Sequence, residues 1–269
     1  MDGSERSDAR GGLELSIVIP VYNEGQNIAS TLRGIASSVR SAATEILVVY
    51  DFDEDDTIPV VTRLQGQIPH LKLHRNRRGR GVLNAIQAGF DIAAAPSVLV
   101  MMADGSDEPA AIDPMLEKAR AGADVVAGSR YTRGGGQQGG PLIKRTMSRT
   151  AGVSLFLVGA LPIHDATSNF RLYSRRLLDA VTIESTAGFE LALELTVKAQ
   201  RLGMMVGEVG TVWHDRTAGQ SRFRLMKWLP HYLRWYGFAL RTRLTQRPRL
   251  KPTEVPQPER ASTPPTSSR

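Results

Sequence analysis

Short apolar runs alternate with longer amphipathic stretches over the first half of the chain. The runs lie at 15–21, 45–51, 71–74, 97–103 and 124–130, and they have the length and composition of β-strands. Apolar residues at helical spacing predict helices between them, at 27–39 and 82–93. This alternation predicts an α/β fold whose mostly parallel central sheet is flanked by helices.

The second half of the chain has a less regular pattern. A glycine-rich stretch at 132–140 is predicted as a loop, and 188–203 as a largely buried helix. Segment 222–244 mixes Arg and Lys with Trp, Tyr, Phe and Leu, which indicates an amphipathic element at a membrane surface. The alternative is an amphipathic helix packed on the domain. The remaining divisions are a disordered arm at 1–12, a globular domain at 13–221 and a disordered Pro-rich tail at 245–269.

Composition narrows the classes of function. The chain of 269 residues has no cysteine, which excludes disulfides and thiolate metal sites. A net charge of +7 favours anionic partners. Nucleic acid is not expected among them, because there is no zinc-finger spacing or RNP-like motif and only 6% of the residues are aromatic. No run approaches the roughly 20 apolar residues that span a bilayer.

Acidic residues follow the apolar run at 97–103. In an open α/β sheet, ligands bind at the carboxyl ends of the parallel strands, so these acids are expected at a binding edge. Asp104 and Asp107 offer the oxygen ligands that Mg²⁺ or Mn²⁺ prefers. The alternative is a polar turn that caps the next helix.

Several short motifs lie along the chain. They are PVYNE (20–24), VVYDFDEDDT (48–57), RGRGVLNAIQAGF (78–90), MADGSDEP (102–109), GSRY (128–131), GGP with KR and S (139–148), DATSNFRLY (165–173), GFELALEL (188–195) and WHDRTAGQSRF (213–223). In order and spacing they resemble the motifs of the family 2 inverting glycosyltransferases with the GT-A fold. The similarity covers about 13–225 and points particularly to dolichol-phosphate mannosyltransferases and related polyprenyl-phosphate glycosyltransferases. This resemblance implies a GT-A catalytic domain at 13–221.

The resemblance also implies where the donor nucleotide binds. Asp51 matches the second acid of the family's Asp-Asp pair, and Tyr50 stands in place of the first. The positions implied for donor contacts are Pro20, Tyr22, Glu24, Asp51, Arg80, Ala103 and Asp104. The neighbouring acids Glu54, Asp55 and Asp56 are interpreted as a solvated turn.

The family's Asp-x-Asp metal motif has an altered form in this chain. Asp104 matches its second Asp, whereas Met102 occupies the first position. The implied Mg²⁺ or Mn²⁺ site therefore consists of Asp104, with Ser106 or Asp107 adding a ligand.

Two basic groups match phosphate-binding positions of the family. Arg130, Lys144, Arg145 and Ser148 match those that receive the acceptor's lipid phosphate. Arg216 and Arg222 match a later pair near the donor and acceptor phosphates. With Asp104, these are the residues implied to be catalytic.

The implied activity is transfer of a hexose from a nucleotide sugar, of the GDP-mannose or UDP-glucose type, to polyprenyl or dolichyl phosphate. A phosphate acceptor needs no general base, whereas a soluble or glycolipid hydroxyl acceptor would need one, with Asp107 or Asp165 as candidates. A further alternative is a catalytically silent protein that binds lipid or nucleotide sugar. We expect a peripheral protein on the cytoplasmic face of an anionic membrane; the sequence specifies neither the sugar nor the oligomeric state.

Overall fold

A seven-stranded sheet forms the centre of the protein. The computed structural model describes residues 12–40, 43–140, 142–158, 160–215 and 225–245, except for the side chains of 142–144, 225–228 and 242–245. The strands are β1 (Leu15–Pro20), β2 (Thr44–Tyr50), β3 (Leu71–Arg75), β4 (Ser97–Val100), β5 (Val125–Ser129), β6 (Gly136–Gln138), β7 (Arg171–Ser174), β8 (Val206–Gly210) and β9 (Val212–His214). The helices are α1 (Ile28–Ser38), α2 (Thr57–Leu64), α3 (Val82–Ile92), α4 (Ile112–Arg120), α5 (Leu142–Leu157), α6 (Arg175–Ala180), α7 (Leu191–Arg201) and α8 (Leu225–Thr245).

The order and directions of the strands confirm the predicted, mostly parallel central sheet. The order is β3-β2-β1-β4-β7-β5-β8, and only β7 runs antiparallel to its neighbours. Strands β6 and β9 form a separate parallel ribbon. The order reverses between β1 and β4, which is the place where ligands bind in open α/β sheets.

Apolar side chains fill both faces of the central sheet. All six residues of β1 are buried, because α1, α2 and α4 cover one face and α3 and α7 the other. A strand covered on both faces has no polar side to alternate with, which explains the continuous apolar runs. Burial of this sheet fixes the positions of its loops, and the candidate site is built from those loops.

Two predictions about the chain's course need correction. The strand predicted at 97–103 ends at Val100, and the Met102 amide donates instead to Asp107 Oδ2 at 3.1 Å. The Asp107 carboxylate, not a neighbouring strand, thus accepts the hydrogen bond of this backbone amide. The glycine-rich stretch is not only a loop, because it contains β6. Gly135 is required there, since a Cβ at this position would lie 2.4 Å from the Ser129 carbonyl oxygen.

Helix α8 packs against the domain over part of the segment predicted to be interfacial. Trp235 and Ala239 are buried in a cluster with Leu155 and Leu193, and the Tyr232 hydroxyl donates to the Phe189 carbonyl at 2.7 Å. Trp235 is only 3% exposed, so this side chain of the segment packs within the domain rather than facing outward. None of the helices in the described ranges combines the length and apolarity needed to span a bilayer.

Candidate active site

The loop after β4 gathers two buried carboxylates at the carboxyl edge of the sheet. Asp104 Oδ1 accepts a hydrogen bond from the Ser106 amide at 3.1 Å, and both Asp104 and Asp107 are 8% exposed. The Ala103 carbonyl accepts a bond from the Thr31 hydroxyl at 2.9 Å, which ties the loop to α1. The acids predicted at a binding edge are therefore there, held by backbone amides rather than free in solvent.

The electrostatics of this loop fit a divalent cation. Burial, reinforced by the negative charge of Asp104, raises the pKa of Asp107 to about 7, although the Met102 amide and Arg130 oppose the shift. Among the described residues, no three Asp, Glu or His side chains form a metal cage by themselves. Mg²⁺ is commonly held by one or two carboxylates together with substrate phosphates and waters. Asp104 and Asp107 match the carboxylate part of that donor set.

The loop after β1 is held by the acidic run after β2. Asp55 accepts from the Asn23 amide through both oxygens, each at 3.1 Å, and the Thr57 hydroxyl accepts from the Glu24 amide at 2.9 Å. Asp56 Oδ1 accepts from the Gly25 amide at 2.9 Å. The interpretation of these acids as a solvated turn is wrong for Asp55, which is 1% exposed. Its burial cannot be seen from an acidic run in the sequence.

Two of the residues predicted to contact the donor, Tyr22 and Arg80, lie around one aromatic ring, that of Phe52. Tyr22 packs against Phe52 with ring centroids 5.1 Å apart, and the Arg80 guanidinium lies 5.1 Å from the same ring. Sequence reasoning missed Phe52, although an aromatic residue inside an acidic run was a visible signal. Pro20 is buried at the end of β1, and Glu24 accepts from the Asn27 side chain at 2.8 Å.

Asp51 organises the loop that carries Arg80. Its Oδ1 accepts from the Asn76 side chain and its Oδ2 from the Gly81 amide, both at 2.8 Å. Asn76 is itself buried and bonds the Gly79 carbonyl at 2.6 Å. The structure therefore shows Asp51 positioning the loop between β3 and α3.

Arg130 is the centre of a buried charge cluster. Its Nε donates to Asp165 Oδ2 at 2.7 Å, and its Nη2 donates to Asp165, Ser148 and Thr167 at 2.9–3.0 Å. Burial alone would raise the pKa of Asp165, but the charge and hydrogen bonds of Arg130, with the charge of buried Arg171, lower it. The Ser148 hydroxyl is shared with Thr167 at 2.5 Å. Two of the predicted phosphate ligands thus already have protein partners.

A basic pocket of about 250 Å³ opens beside this cluster. Its arginines are Arg130, Arg145 and Arg149, and its remaining wall is formed by Tyr131, Thr132, Gly135, Gly136 and Gln137. The motifs did not indicate Arg149, whose only sequence signal is its position four residues after Arg145. Lys144 lies in α5, but its side chain is not described, and Arg216 and Arg222 lie outside the described residues.

The β6–β9 ribbon joins the acidic loop to the basic pocket. The His214 amide donates to the Ser106 carbonyl and the Asp215 amide to the Gln138 carbonyl, both at 2.9 Å. The Val212 amide donates to Glu108 at 3.2 Å. Carboxylates suited to a cation and guanidinium groups suited to phosphate therefore lie on one continuous framework, the arrangement of an enzyme that handles phosphorylated substrates.

This architecture is that of the GT-A glycosyltransferases, as the solved structures show. Glucosyl-3-phosphoglycerate synthase from Mycobacterium tuberculosis, solved with Mn²⁺, UDP and glucosyl-3-phosphoglycerate, matches 91% of this chain and 85% of its own with a TM-score of 0.61. At 18% identity, the likeness shows the fold. The family model "Glycosyl transferase family 2" matches residues 16–182, so the chain belongs to that family and the resemblance seen in the motifs is confirmed.

Curated relatives extend the similarity beyond the family model. Polyprenol monophosphomannose synthase of Mycolicibacterium smegmatis is 33% identical over 82% of this chain and 84% of its own length. Undecaprenyl-phosphate mannosyltransferase of Micrococcus luteus is 29% identical over 76% and 85%. Dolichol-phosphate mannosyltransferase of Pyrococcus furiosus is 28% identical over 80% of this chain, which spans 64% of that relative.

Proposed function

We propose that this protein transfers mannose from a nucleotide-activated donor to the phosphate of a polyprenyl phosphate. The observation that carries the proposal is the basic pocket beside the buried carboxylates: Arg130 lines the pocket and lies near enough to Asp107 to lower its pKa. Three curated relatives have names that describe mannosyl transfer to a prenyl phosphate. These names support mannose as the transferred sugar and a phosphate as the acceptor.

The donor occupies the carboxyl edge of β1, β2 and β4 in this proposal. Tyr22, Phe52 and Arg80 contact the nucleoside, and Asp51 holds the loop that presents Arg80. Asp104 and Asp107 hold the divalent cation, which supplies positive charge to the leaving diphosphate when bound. The buried amides of the acidic loop fix both carboxylates, so little reorganisation is needed on binding.

The acceptor phosphate is the nucleophile. With a second pKa near 6, a phosphate monoester is largely dianionic at pH 7 and needs no proton removed. One of its oxygens bonds to the anomeric carbon while the bond from that carbon to the diphosphate breaks, and the electron pair leaves with the nucleoside diphosphate. The protein's own contribution is to position the two anions and to balance their charge.

Transfer to a hydroxyl acceptor is the second candidate function. That reaction would require a general base. Asp165 does not suit that role, since it is fully buried, paired with Arg130 and has a lowered pKa. Asp107 does suit it by pKa, which burial and Asp104 raise to about 7. The two functions are therefore separated by the chemistry of the acceptor.

The test uses the purified full-length chain and radiolabelled GDP-mannose, GDP-glucose, UDP-glucose and UDP-galactose. A short water-soluble prenyl phosphate is compared with the matching prenol, with Mn²⁺ or with EDTA. We expect label from GDP-mannose to pass only to the phosphate and only with Mn²⁺. Equal labelling of the prenol would establish the hydroxyl acceptor instead, and turnover of no donor would indicate a silent binding protein.

We further propose that helices α5 and α8 face the anionic, cytoplasmic surface of a membrane. The two helices are joined by a 2.9 Å hydrogen bond between Ser154 and Tyr236. Large apolar side chains on them remain exposed, at 75% for Leu157 and 57% for Leu233. Such side chains insert into the headgroup region while nearby basic residues contact lipid phosphates.

Co-sedimentation with anionic vesicles tests this placement. We expect the double variant Leu157→Glu with Leu233→Glu to lose most of its vesicle binding while its thermal stability stays unchanged. Met205→Glu is the matched control, because Met205 is 48% exposed but lies outside both helices. If the double variant bound vesicles as well as the wild type, the proposed placement of α5 and α8 at the membrane surface would be wrong.

A further inference from the structure

The arginines around the basic pocket differ in whether an acidic side chain of the protein balances their charge. Arg130 is only 14% exposed, and its partner Asp165 already balances its charge. Arg145 and Arg149 are both exposed and, within the described part of the chain, neither has an ion-pair or hydrogen-bond partner for its side chain. The positive charge available to a ligand therefore comes from α5 rather than from Arg130.

The spacing of Arg145 and Arg149 directs both side chains to the same face of α5. Residues four apart lie one helical turn from each other, about 5–6 Å between their Cβ atoms. Two like charges at this spacing destabilise a helix, and an anion bound between them relieves the repulsion. Since guanidinium groups match phosphate oxygens with paired N–H donors, a phosphate is the ligand they fit best.

The rest of the pocket suits a phosphate headgroup. Its wall contains three arginines and no acidic residue. Pockets for drug-sized molecules have about 300–1,000 Å³, so this one of about 250 Å³ suits a headgroup better than an entire nucleotide sugar.

We propose that Arg149 binds the phosphate of the acceptor, forming with Arg145 a two-guanidinium clamp at the entrance to the Arg130 cluster. The proposal rests on the proposed function, and it adds Arg149 to the charged residues that contact the acceptor. In this arrangement Arg130 and Asp165 are the rigid back of the pocket, while Arg145 and Arg149 supply the net positive charge. Arg149 is then a binding residue that selects a phosphate over a hydroxyl acceptor.

Steady-state kinetics with a short water-soluble prenyl phosphate test the clamp without a membrane. For Arg149→Gln in the full chain, we expect the acceptor KM to rise about tenfold or more and the donor KM to change less than about twofold. Arg149→Lys should lie between, because it keeps the charge but loses the paired donors. Arg63→Gln, an exposed arginine on α2, is the control and should resemble the wild type. An unchanged acceptor KM in Arg149→Gln would overturn the clamp.

Direct binding distinguishes the possible sources of phosphate. Inorganic phosphate, measured by titration calorimetry, should bind Arg149→Gln more weakly than the wild type. Vesicles of phosphatidylcholine and phosphatidylglycerol without acceptor should bind both proteins equally. Weaker vesicle binding with unaltered phosphate binding would assign Arg149 to the membrane surface and refute the pocket.

The same measurements separate failure of this inference from failure of the proposed function. If the wild type labels no prenyl phosphate, the proposed function fails, yet a difference in phosphate affinity between wild type and Arg149→Gln still supports an anion site. If labelling occurs and neither KM nor phosphate affinity changes, the clamp alone is wrong. Circular dichroism melts of each variant establish that the comparison is between folded proteins.

Discussion

Two buried aspartates, Asp107 and Asp165, have opposite electrostatic surroundings. Burial acts to raise the pKa of both. For Asp107 the largest effect of a neighbouring charge comes from another carboxylate, that of Asp104, and the pKa of Asp107 rises to about 7. Asp165 lies against Arg130, with the Nε to Oδ2 distance 2.7 Å, and its pKa is lowered. Because both carboxyl groups are buried, the charges of their neighbours decide the direction in which each pKa shifts.

The difference indicates that the charge of Asp165 stabilises the fold, whereas the charges of the acidic loop are available to a ligand. Asp165 is satisfied by protein groups, including the amides of Thr167 and Ser168, and fixes the position of Arg130. The acidic loop instead brings two carboxylates together, and the charge of Asp104 raises the pKa of Asp107. Such a loop is suited to receive positive charge from a ligand. The following predictions test this comparison, beginning with the largest effect.

Removing the negative charge of Asp165 should produce the largest loss of stability. Asp165→Asn removes the ion-pair partner of the buried Arg130 guanidinium, so we expect the free energy of unfolding to fall by about 3–5 kcal/mol. Urea denaturation measures it. The control Asp91→Asn breaks an exposed ion pair with Arg78 and should cost less than about 1 kcal/mol. Similar losses in both variants would show that the Arg130 cluster is not a special source of stability.

The acidic loop should respond in the opposite way. Asp104→Asn removes a repulsion with Asp107, so stability should be unchanged or higher, whereas sugar transfer at fixed Mn²⁺ should fall by about 100-fold or more. Asp107→Asn should have a milder effect on transfer. Rates near that of the wild type in Asp104→Asn would remove its assigned role, and equal losses in the two variants would make Asp107 an equal ligand.

Acid unfolding should reveal the Asp165 contribution through its pH dependence. A carboxyl whose folded pKa is lowered contributes stability that is fully present above its unfolded pKa of about 3.9 and is lost as the pH falls through the folded value. The wild type should therefore lose stability below about pH 4 more steeply than Asp165→Asn. Denaturation series at several pH values measure both slopes, and parallel slopes would contradict the paired state of Asp165.

The smallest predicted effect concerns the donor side. Asp51→Ala releases Asn76 and the Gly81 amide, so the loop that carries Arg80 loses its anchors. We expect the donor KM to rise about tenfold and kcat to change little, because these contacts act equally in the ground and transition states. Asp53→Ala, which breaks an exposed ion pair with Arg75, is the matched control. A large fall in kcat for Asp51→Ala would assign it to the chemical step.

Much of the fold could be predicted because it depends on periodicity. The five predicted strands and the helices at 27–39 and 82–93 are present, each within three residues of its predicted ends. The β6–β9 ribbon could not be foreseen, since its three-residue strands carry no period and depend on contacts between distant parts of the chain. Local pattern determines elements that bury a face, but not those held mainly by hydrogen bonds.

The sequence predicted which types of residue form the candidate site, but not which of their side chains contact one another. The motifs placed Asp104, Asp107 and Arg130 correctly at the carboxyl edge of the sheet. They did not show that Asp55 is buried or that Asp165 pairs with Arg130. Nor did they show that Phe52 lies against Arg80 or that Arg149 lines the basic pocket. Such facts depend on which side chains meet in three dimensions, and one sequence does not contain that information.

The β6–β9 ribbon has a consequence for the order of events during turnover. Because His214 is bonded to the acidic loop and Asp215 to the strand that lines the basic pocket, neither end can shift without straining the other. Under the proposed function, we expect occupancy of the acceptor pocket and affinity for the metal and donor to be thermodynamically linked, and such a linkage is reciprocal. Cooperativity between two substrates would thus arise inside one domain, through six paired residues rather than through a subunit interface.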